Sequence, residues 1–156
     1  MKSNIEGAII KELTLHEDSR GWLIEIFRQD ELEPSLFPVM SYISMTKPGE
    51  LRGPHEHKHQ TDLFCFYGTS DFKLYLWDNR SDSKTYQKSE IIKILKDKPC
   101  SILIPPGIIH GYRNIGNSEG LVFNAPNRLH AGKGKRGEID VVRYEDDPAC
   151  PFRMED

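Results

Sequence analysis

The sequence has no hydrophobic run that is long enough to cross a membrane. Its longest apolar run, Leu63–Tyr67, has five residues, whereas a membrane-spanning helix needs about 20. The first ten residues, MKSNIEGAII, also contain no apolar stretch of the length found in signal peptides. We therefore expect a cytoplasmic protein with no membrane partner.

Positive charge is not concentrated in any way that suits nucleic acid. The 156 residues include 21 Lys and Arg against 24 Asp and Glu, which gives a formal net charge of -3, and both signs are spread along the chain. The chain has no basic arm and no patch that combines arginine with aromatic residues. We therefore expect no nucleic-acid partner, and we expect the basic stretch Lys133–Arg136 to be a solvated loop.

Cysteine is scarce and widely spaced. The three cysteines, Cys65, Cys100 and Cys150, form no CxxC pair, which excludes the common zinc and redox motifs. Cys65 and Cys100 lie in apolar segments that predict strands. We expect three reduced thiols, with these two buried.

Helical periodicity with capping residues is missing as well. Short stretches alternate apolar with polar residues, and turn residues follow them at intervals of about 8–12 residues, which is typical of an all-β sandwich or barrel. The clearest strand signals are Trp22–Phe27, Val39–Thr46, Leu63–Tyr67, Phe72–Trp77, Ser89–Leu95 and Ser101–Ile104. The segments Tyr112–Ile115 and Gly120–Asn124 predict a hairpin around Gly116. No linker divides the chain, so we expect a single domain over residues 1–156.

Histidine is what the chain does have, in one dense stretch. Residues 52–62 read RGPHEHKHQTD. Successive side chains of a strand point to opposite faces, so His55, His57 and, if the strand continues, His59 share one face. Asp62 follows across a short gap that predicts a turn, which would return a carboxylate toward the imidazoles.

A second stretch, some fifty residues later, has matching features. Pro105, Gly107, His110 and Asn114 have the spacing P-x-G-x-x-H-x-x-x-N. This spacing resembles the second motif of the cupin superfamily. The first cupin motif is approximated by Gly49, His55, His57 and Gly68, with Asp62 in place of the usual glutamate. The resemblance implies a cupin jelly roll, or double-stranded β-helix, with a site inside the barrel.

A narrower resemblance covers most of the chain. It is carried by Asp18–Gly21 with Glu25 and Phe27, by Leu51–His55 with Gln60 and Gly68, by Asp78–Arg80 with Ser83 and Thr85, and by Ile104–Gly107 with His110 and Gly111. These residues fall in the order seen in dTDP-4-dehydrorhamnose 3,5-epimerases. The resemblance implies a homodimeric, metal-free enzyme without a cofactor, to whose interface residues 1–48 would contribute.

The resemblance also implies a reaction and roles for individual residues. The substrate would be a nucleotide-linked sugar, a dTDP-4-keto-6-deoxyhexose used in surface polysaccharide biosynthesis. His55 would abstract the proton alpha to the ketone, and His110 and Asp62 would surround the sugar. Histidine suits this task because its ordinary pKa lies near neutrality. The remaining predicted substrate-binding residues are Arg20 and Glu25 at the nucleotide, Arg52 at the diphosphate, and His57, Gln60 and Asn114.

Two departures from that family keep other functions open. Asp62 stands where the family usually has a lysine, and Phe123 falls where it has its proton-donating tyrosine. Three histidines with a carboxylate suit a divalent transition metal, so one alternative is a metal-dependent isomerase or dioxygenase that uses His55, His57, Asp62 and His110 as ligands. The other alternative is a sugar-nucleotide-binding module without turnover.

Overall fold

A computed structural model describes residues 2–155. Within that range the chain forms twelve strands and three short 3-10 helices and contains no α-helix. The strands are β1 Ile9–Glu12, β2 Leu15–Asp18, β3 Gly21–Ile24, β4 Tyr42–Thr46, β5 Leu51–Glu56, β6 Asp62–Phe66, β7 Phe72–Asp78, β8 Ser89–Ile94, β9 Cys100–Ile104, β10 Ile108–Asn114, β11 Gly120–Asn124 and β12 Val142–Arg143. The 3-10 helices are Gln29–Glu31, Pro34–Leu36 and Lys133–Lys135.

Two five-stranded antiparallel sheets face each other. The first has the strand order β1-β9-β6-β11-β4, and the second has the order β12-β5-β10-β7-β8. Strands β2 and β3 pair separately as a hairpin. The chain crosses repeatedly between the two sheets, which is the arrangement of a jelly roll. The predicted all-β jelly-roll class is confirmed.

The space between the sheets holds the main core. Alternation places Phe64 and Phe66 of β6 on the inner face with Phe72 and Leu74 of β7. The other face of β6 is covered as well, since Leu63 packs against Leu32 and Leu36 of the irregular link between β3 and β4. Every residue of β6 is therefore buried, which explains its unbroken apolar sequence after Asp62.

A buried aspartate closes the turn after β7. The carboxylate of Asp78 accepts hydrogen bonds from the guanidinium of Arg80 at 2.8 Å, from Ser83 at 2.6 Å and from Thr85 at 2.5 Å. Burial would raise the pKa of this carboxyl, but these donors outweigh burial and hold the pKa below its ordinary value. The turn at Asp78–Arg80, which is part of the family resemblance, therefore has its buried carboxylate fully hydrogen-bonded and stabilises the fold.

Several local predictions need correction. Strands β10 and β11 do not form a hairpin, because β10 pairs with β5 and β7 while β11 pairs with β4 and β6 in the opposite sheet. Strand β5 ends at Glu56, so His59 does not share the histidine face and is exposed.

The predicted burial of Cys65 and Cys100 as free thiols is confirmed. No helix within residues 2–155 has the length and apolar character needed to cross a membrane.

Candidate functional site

Three histidines and one aspartate meet between the two sheets. Neighbouring strands β5 and β10 place His55 opposite His110 in register, and the turn after β5 carries His57. Asp62 begins β6 in the facing sheet. One ligand atom from each of the four side chains lies within 4.8 Å of all the others. The two histidine stretches therefore form one cluster, which consists of His55, His57, Asp62 and His110.

Backbone carbonyls fix the orientation of two of the imidazoles. Nδ1 of His57 is hydrogen-bonded to the carbonyl oxygen of Asp140, and Nδ1 of His110 lies 2.9 Å from the carbonyl oxygen of Ile108. Because a carbonyl oxygen can only accept, each Nδ1 carries a proton. Both Nε2 atoms then point to the same carboxylate oxygen, Oδ2 of Asp62, at 3.2 Å each.

The point where these atoms converge has too few donors. An imidazole with its proton on Nδ1 presents only a lone pair at Nε2, and a carboxylate oxygen presents only lone pairs. Nε2 of His110 has no hydrogen-bond partner within residues 2–155, although His110 is only 2% exposed. A buried polar atom without a partner is uncommon, and it often marks a place that an ion, a water or a proton completes.

Asp62 is ionised although only 1% of its surface is exposed. Its Oδ1 accepts hydrogen bonds from the side-chain amides of Gln60 and Asn124, each at 2.9 Å. Burial would raise the pKa of this carboxyl, but His110 and His57 lower it more, because an imidazole that takes up a second proton donates it from Nε2 to Oδ2. Burial lowers the pKa of His57, but Asp62 and Asp140 raise it by more. The pKa of His57 therefore lies above its ordinary value.

His55 differs from the other two histidines. Among residues 2–155 its ring has no hydrogen-bond partner, and it contacts His110 and His57 edge-on with ring centroids 4.5 and 5.4 Å apart. Burial, together with the neighbouring imidazoles, lowers the pKa of His55 to about 2. His55 is therefore neutral at pH 7, and it lines the adjoining cavity, where its ring can accept a proton from a bound molecule.

Gly53 allows β5 to approach β10 closely enough for this contact. Its φ is +86°, which L side chains rarely adopt. A Cβ atom at this position would lie 2.7 Å from the carbonyl oxygen of His110 and 3.1 Å from Nδ1 of His55. A larger residue would separate the two histidines.

The cluster adjoins a cavity of about 1240 Å³. His55 and His57 line this cavity, whereas Asp62 and His110 lie deeper. Three tyrosines and several basic side chains form other parts of its wall. These are Tyr42, Tyr112 and Tyr144, with Arg52, Lys135, Arg143 and Arg153. Arg52 is held in place at the cavity by hydrogen bonds to Oγ1 of Thr46 at 3.0 Å and to the carbonyl oxygen of Met45 at 2.7 Å.

Asp140 ties the C-terminal segment to the histidine turn. Its carboxylate accepts the backbone N–H groups of Lys58, His59 and Gln60 at 2.9, 2.9 and 2.8 Å, while its carbonyl oxygen orients His57. The short strand β12 follows and pairs with β5 beside His55. Spacing rules could not have indicated Asp140, because its partners lie about 80 residues earlier.

The structure brings together most of the predicted site residues. The cluster contains His55, His57, Asp62 and His110, and the side-chain amide of Gln60 supports it through Asp62. Arg52 lines the adjoining cavity. Asn114, Arg20 and Glu25 lie elsewhere.

Asn114 lies outside the site, contrary to the prediction. Its side chain is fully buried at the far end of β10. The amide oxygen accepts a hydrogen bond from Ser70 at 2.7 Å, and the amide nitrogen donates to the carbonyl oxygens of Thr46 and Ser118 at 2.8 Å. Asn114 therefore joins loops and strands of the barrel and has no free group for a substrate.

Arg20 and Glu25 also do not reach the cavity of their own chain. Arg20 lies in the turn of the β2–β3 hairpin, pairs with Asp18 at 2.6 Å and has a side chain that is 87% exposed. Glu25 pairs with Arg28 at 3.3 Å on the surface. The predicted contact with a nucleotide would require the cavity of a second copy of the chain.

Sequence reasoning missed two polar residues beside the cluster. Asn124 on β11 uses one amide nitrogen to bridge Oδ1 of Asp62, at 2.9 Å, and the hydroxyl of Tyr42, at 2.8 Å. Strand pairing explains the arrangement, because Asn124 lies opposite Tyr42 in register. Alternation on β11 could have indicated Asn124, since it shares a face with Val122.

The same alternation explains Phe123. This residue points to the outer face of its sheet, into the apolar cluster of Leu63, Leu103 and Ala125. It is therefore not the counterpart of a tyrosine that faces the barrel interior. Tyr67 lies away from the cavity and packs edge-on against Trp22, with ring centroids 4.7 Å apart.

The sequence matches one family of known proteins. Residues 2–140 match the family model described as dTDP-4-dehydrorhamnose 3,5-epimerase. The chain is 37% identical over 114 residues to the spore coat polysaccharide biosynthesis protein SpsL of Bacillus subtilis, a match that covers 73% of this chain and 74% of that protein. It is 36% identical over 129 residues to the probable low-salt glycan biosynthesis epimerase Agl13 of Haloferax volcanii, covering 81% of each.

Solved structures agree on the fold. A dTDP sugar isomerase from Desulfovibrio desulfuricans superposes with a TM-score of 0.80 at 24% identity and covers 97% of this chain and 94% of its own. The 3'-monoepimerase ChmJ from Streptomyces bikiniensis gives a TM-score of 0.73 at 20% identity, covering 83% and 68%. The chain belongs to the dTDP-4-dehydrorhamnose 3,5-epimerase family and is an enzyme of the epimerase and isomerase kind.

Proposed function

We propose that this enzyme epimerises a dTDP-4-keto-6-deoxyhexose by proton transfer at a carbon next to the ketone, with His55 as the base. The observation that carries the proposal is the position of His55. Its ring lines the cavity and has no hydrogen-bond partner within residues 2–155. A general base must have an accessible lone pair within reach of the proton that it removes.

Negative charge in the cavity would raise the pKa of His55. A pKa of about 2 would make the imidazole a weak base. A diphosphate in the cavity brings negative charge near the ring, and a nearby opposite charge favours the protonated imidazole. Substrate binding therefore shifts the pKa of His55 toward the range in which proton transfer is effective.

The basic side chains of the cavity wall support a diphosphate-bearing substrate. Arg52 lines the cavity together with Arg143 and Arg153. A guanidinium binds two phosphate oxygens with parallel hydrogen bonds. The cavity of about 1240 Å³ exceeds the roughly 300–1,000 Å³ of most small-molecule pockets, in keeping with a substrate as long as a nucleotide-linked sugar.

Tyr42 is the acid that we assign to the second proton transfer. Its hydroxyl oxygen accepts a hydrogen bond from Asn124 at 2.8 Å, which leaves the hydroxyl proton available for donation. Burial raises the pKa of Tyr42, so the group stays protonated at neutral pH. Tyr42 lines the same cavity as His55.

A homodimer would explain the two predicted nucleotide contacts that lie outside the cavity. The edge strand β4 exposes Ile43 and Met45, and the β2–β3 hairpin exposes Trp22 and Leu23. Exposed apolar groups on an unpaired edge favour association with another chain. Sedimentation of the purified protein tests this proposal, which fails if the protein is monomeric at micromolar concentration.

Solvent exchange tests the reaction directly. The enzyme is incubated in D₂O with dTDP-4-keto-6-deoxyglucose, and deuterium at C3 and C5 is followed by proton NMR. We expect exchange at one or both carbons, and we expect His55→Gln to slow it by about 10²–10⁴-fold. His59→Ala is the matched control, because His59 is exposed four residues away.

The same experiment separates the rival functions. Measurable binding of the sugar nucleotide without exchange at either carbon would contradict the proposal and indicate a binding module. Exchange that is unchanged in His55→Gln would keep the reaction but remove His55 as its base.

A further inference from the structure

We propose that His57, Asp62 and His110 bind a divalent transition metal ion, and that His55 stays outside its coordination shell. The three side chains come from the turn after β5, from β6 and from β10. Each offers one ligand atom, and these atoms lie within 4.8 Å of one another. The binding site stands on this geometry, whereas the exclusion of His55 and the role of the ion in the reaction rest on the proposed function.

The distances fit a metal ion. Nε2 of His57 and Nε2 of His110 are each 3.2 Å from Oδ2 of Asp62. Two ligand atoms that each lie about 2.1 Å from an ion are about 3.2 Å apart when the angle between them is about 100°. That angle falls between those of octahedral and tetrahedral coordination, so an ion at these distances can bind Oδ2 of Asp62 together with either imidazole.

The surrounding hydrogen bonds already hold the ligands as a metal site requires. Metal-binding histidines usually donate their second N–H to a carbonyl or carboxylate, which fixes the tautomer. Here the carbonyl oxygens of Asp140 and Ile108 accept from His57 and His110. Oδ1 of Asp62 is held by Gln60 and Asn124, which leaves Oδ2 directed at the imidazoles.

A cation also supplies the missing partner at this point. Nε2 of His110 is buried and lacks a hydrogen-bond partner within residues 2–155, and three acceptors converge with one negative charge among them. Gln60 donates to Nε2 of His57 at 3.1 Å, and an ion would take over that lone pair while Gln60 keeps its bond to Asp62. Two imidazoles and one carboxylate suit manganese, iron, cobalt, nickel or zinc better than calcium or magnesium.

The ion would also change the charge that the substrate meets. Removal of a proton alpha to a ketone places negative charge on the ketone oxygen, and the carboxylate of Asp62 alone would oppose it. A bound divalent ion reverses the sign of the local charge and favours the enolate. His55 remains the base, because a histidine whose lone pair binds a metal cannot accept a proton.

Metal uptake tests the site without any substrate. The full chain, purified without a histidine tag and stripped with a chelator, is given Mn²⁺, Co²⁺, Ni²⁺ or Zn²⁺, and bound metal and melting temperature are measured. We expect about one equivalent per chain and a rise in melting temperature, since binding to the folded state stabilises it. Cobalt absorption bands of the wild-type protein report the ligand set even if a variant fails to fold.

Matched variants assign the ligands. Asp62→Asn should weaken binding by more than about 100-fold, beyond the usual effect of losing a supporting residue, while His59→Ala leaves it unchanged. His55→Ala should retain the metal. Loss of metal in His55→Ala would overturn the separation of base from ligands. Absence of uptake, or uptake that is equal in Asp62→Asn and the wild type, would overturn the site, whereas the deuterium-exchange result alone decides the proposed reaction.

Discussion

Two buried aspartates of this barrel have nearly the same exposure and opposite surroundings. Asp62 is 1% exposed and Asp78 is 2% exposed, and the pKa of each carboxyl lies below its ordinary value. Around Asp78, hydrogen-bond donors from Arg80, Ser83 and Thr85 satisfy the carboxylate. Around Asp62, one oxygen is satisfied by amides, and the other faces two imidazole nitrogens.

The difference separates a structural carboxylate from a functional one. A carboxylate surrounded by committed donors stabilises the fold and has nothing left to offer a ligand. A carboxylate oxygen that faces lone pairs is held in an arrangement that a proton or a cation completes. Burial and a lowered pKa alone do not distinguish the two sites, whereas the direction of the neighbouring donors does.

The largest effect is expected from Asp62→Asn. The amide has the shape of the carboxylate and can donate to the lone pairs of His57 and His110, so we expect the free energy of unfolding to change by less than about 1 kcal/mol. The proposed metal ligand is lost together with the charge, so deuterium exchange should slow by about 10³-fold. Chemical denaturation and NMR measure the two quantities. A large loss of stability would mean that Asp62 is as closed as Asp78.

The same substitution in the other cluster should act on stability. In Asp78→Asn the amide nitrogen would face the donors of Arg80, Ser83 and Thr85, so the free energy of unfolding should fall by about 3 kcal/mol, as when one partner of a buried ion pair is removed. Exchange activity of the folded protein should stay within about threefold of wild type. Asp82→Asn, on the exposed side of the same turn, is the matched control for denaturation.

Two cavity tyrosines sharpen the comparison further. Tyr42 is joined to Asp62 through Asn124, whereas the hydroxyl of Tyr112 is 2.8 Å from that of Ser44. Tyr42→Phe should slow epimerisation by about 10²-fold, the lower range for loss of a general acid, and Tyr112→Phe should have a much smaller effect. The rates are measured by NMR of the sugar nucleotide, and the reverse result would assign the acid to Tyr112.

The smallest effect is expected from acid. Because the pKa of Asp78 is lowered in the folded state, its contribution to stability is complete above the ordinary pKa of about 3.9 and is lost as pH falls toward the lower folded-state value. Between pH 4 and pH 2, the free energy of unfolding of the wild type should therefore fall faster than that of Asp78→Asn. Denaturation at several pH values checks this, and parallel curves would contradict it.

The barrel and the centre of the site could be predicted from the sequence because both depend on local spacing. Alternation predicted that His55 and His57 share a face, and the cupin-like spacing grouped His110 with them. In the structure His110 pairs with His55 in register, and His57 lies in the turn just after β5. Asn114 was misassigned because a motif position does not reveal which groups already have partners. The false hairpin between β10 and β11 arose because adjacent segments can belong to different sheets.

The residues that sequence reasoning missed share a physical cause. Asn124, Tyr42 and Asp140 reach the cluster through contacts that span 62 to 83 positions of the chain, and such contacts are decided by the packing of whole sheets. Arg20 and Glu25 were predicted from the sequence but lie outside the cavity of their own chain. Their predicted contact with a nucleotide would require the cavity of a second chain.

Asp140 shows how far along the chain the histidine site depends on the C-terminal segment. The family match ends at this residue, and its side chain and main chain together hold the turn that carries His57. A chain cut just before position 140 would keep every strand from β1 to β11 and lose the group that aims one imidazole. Any shortened or fused form of this protein must therefore extend past residue 140, since Arg143 and Arg153 also line the cavity.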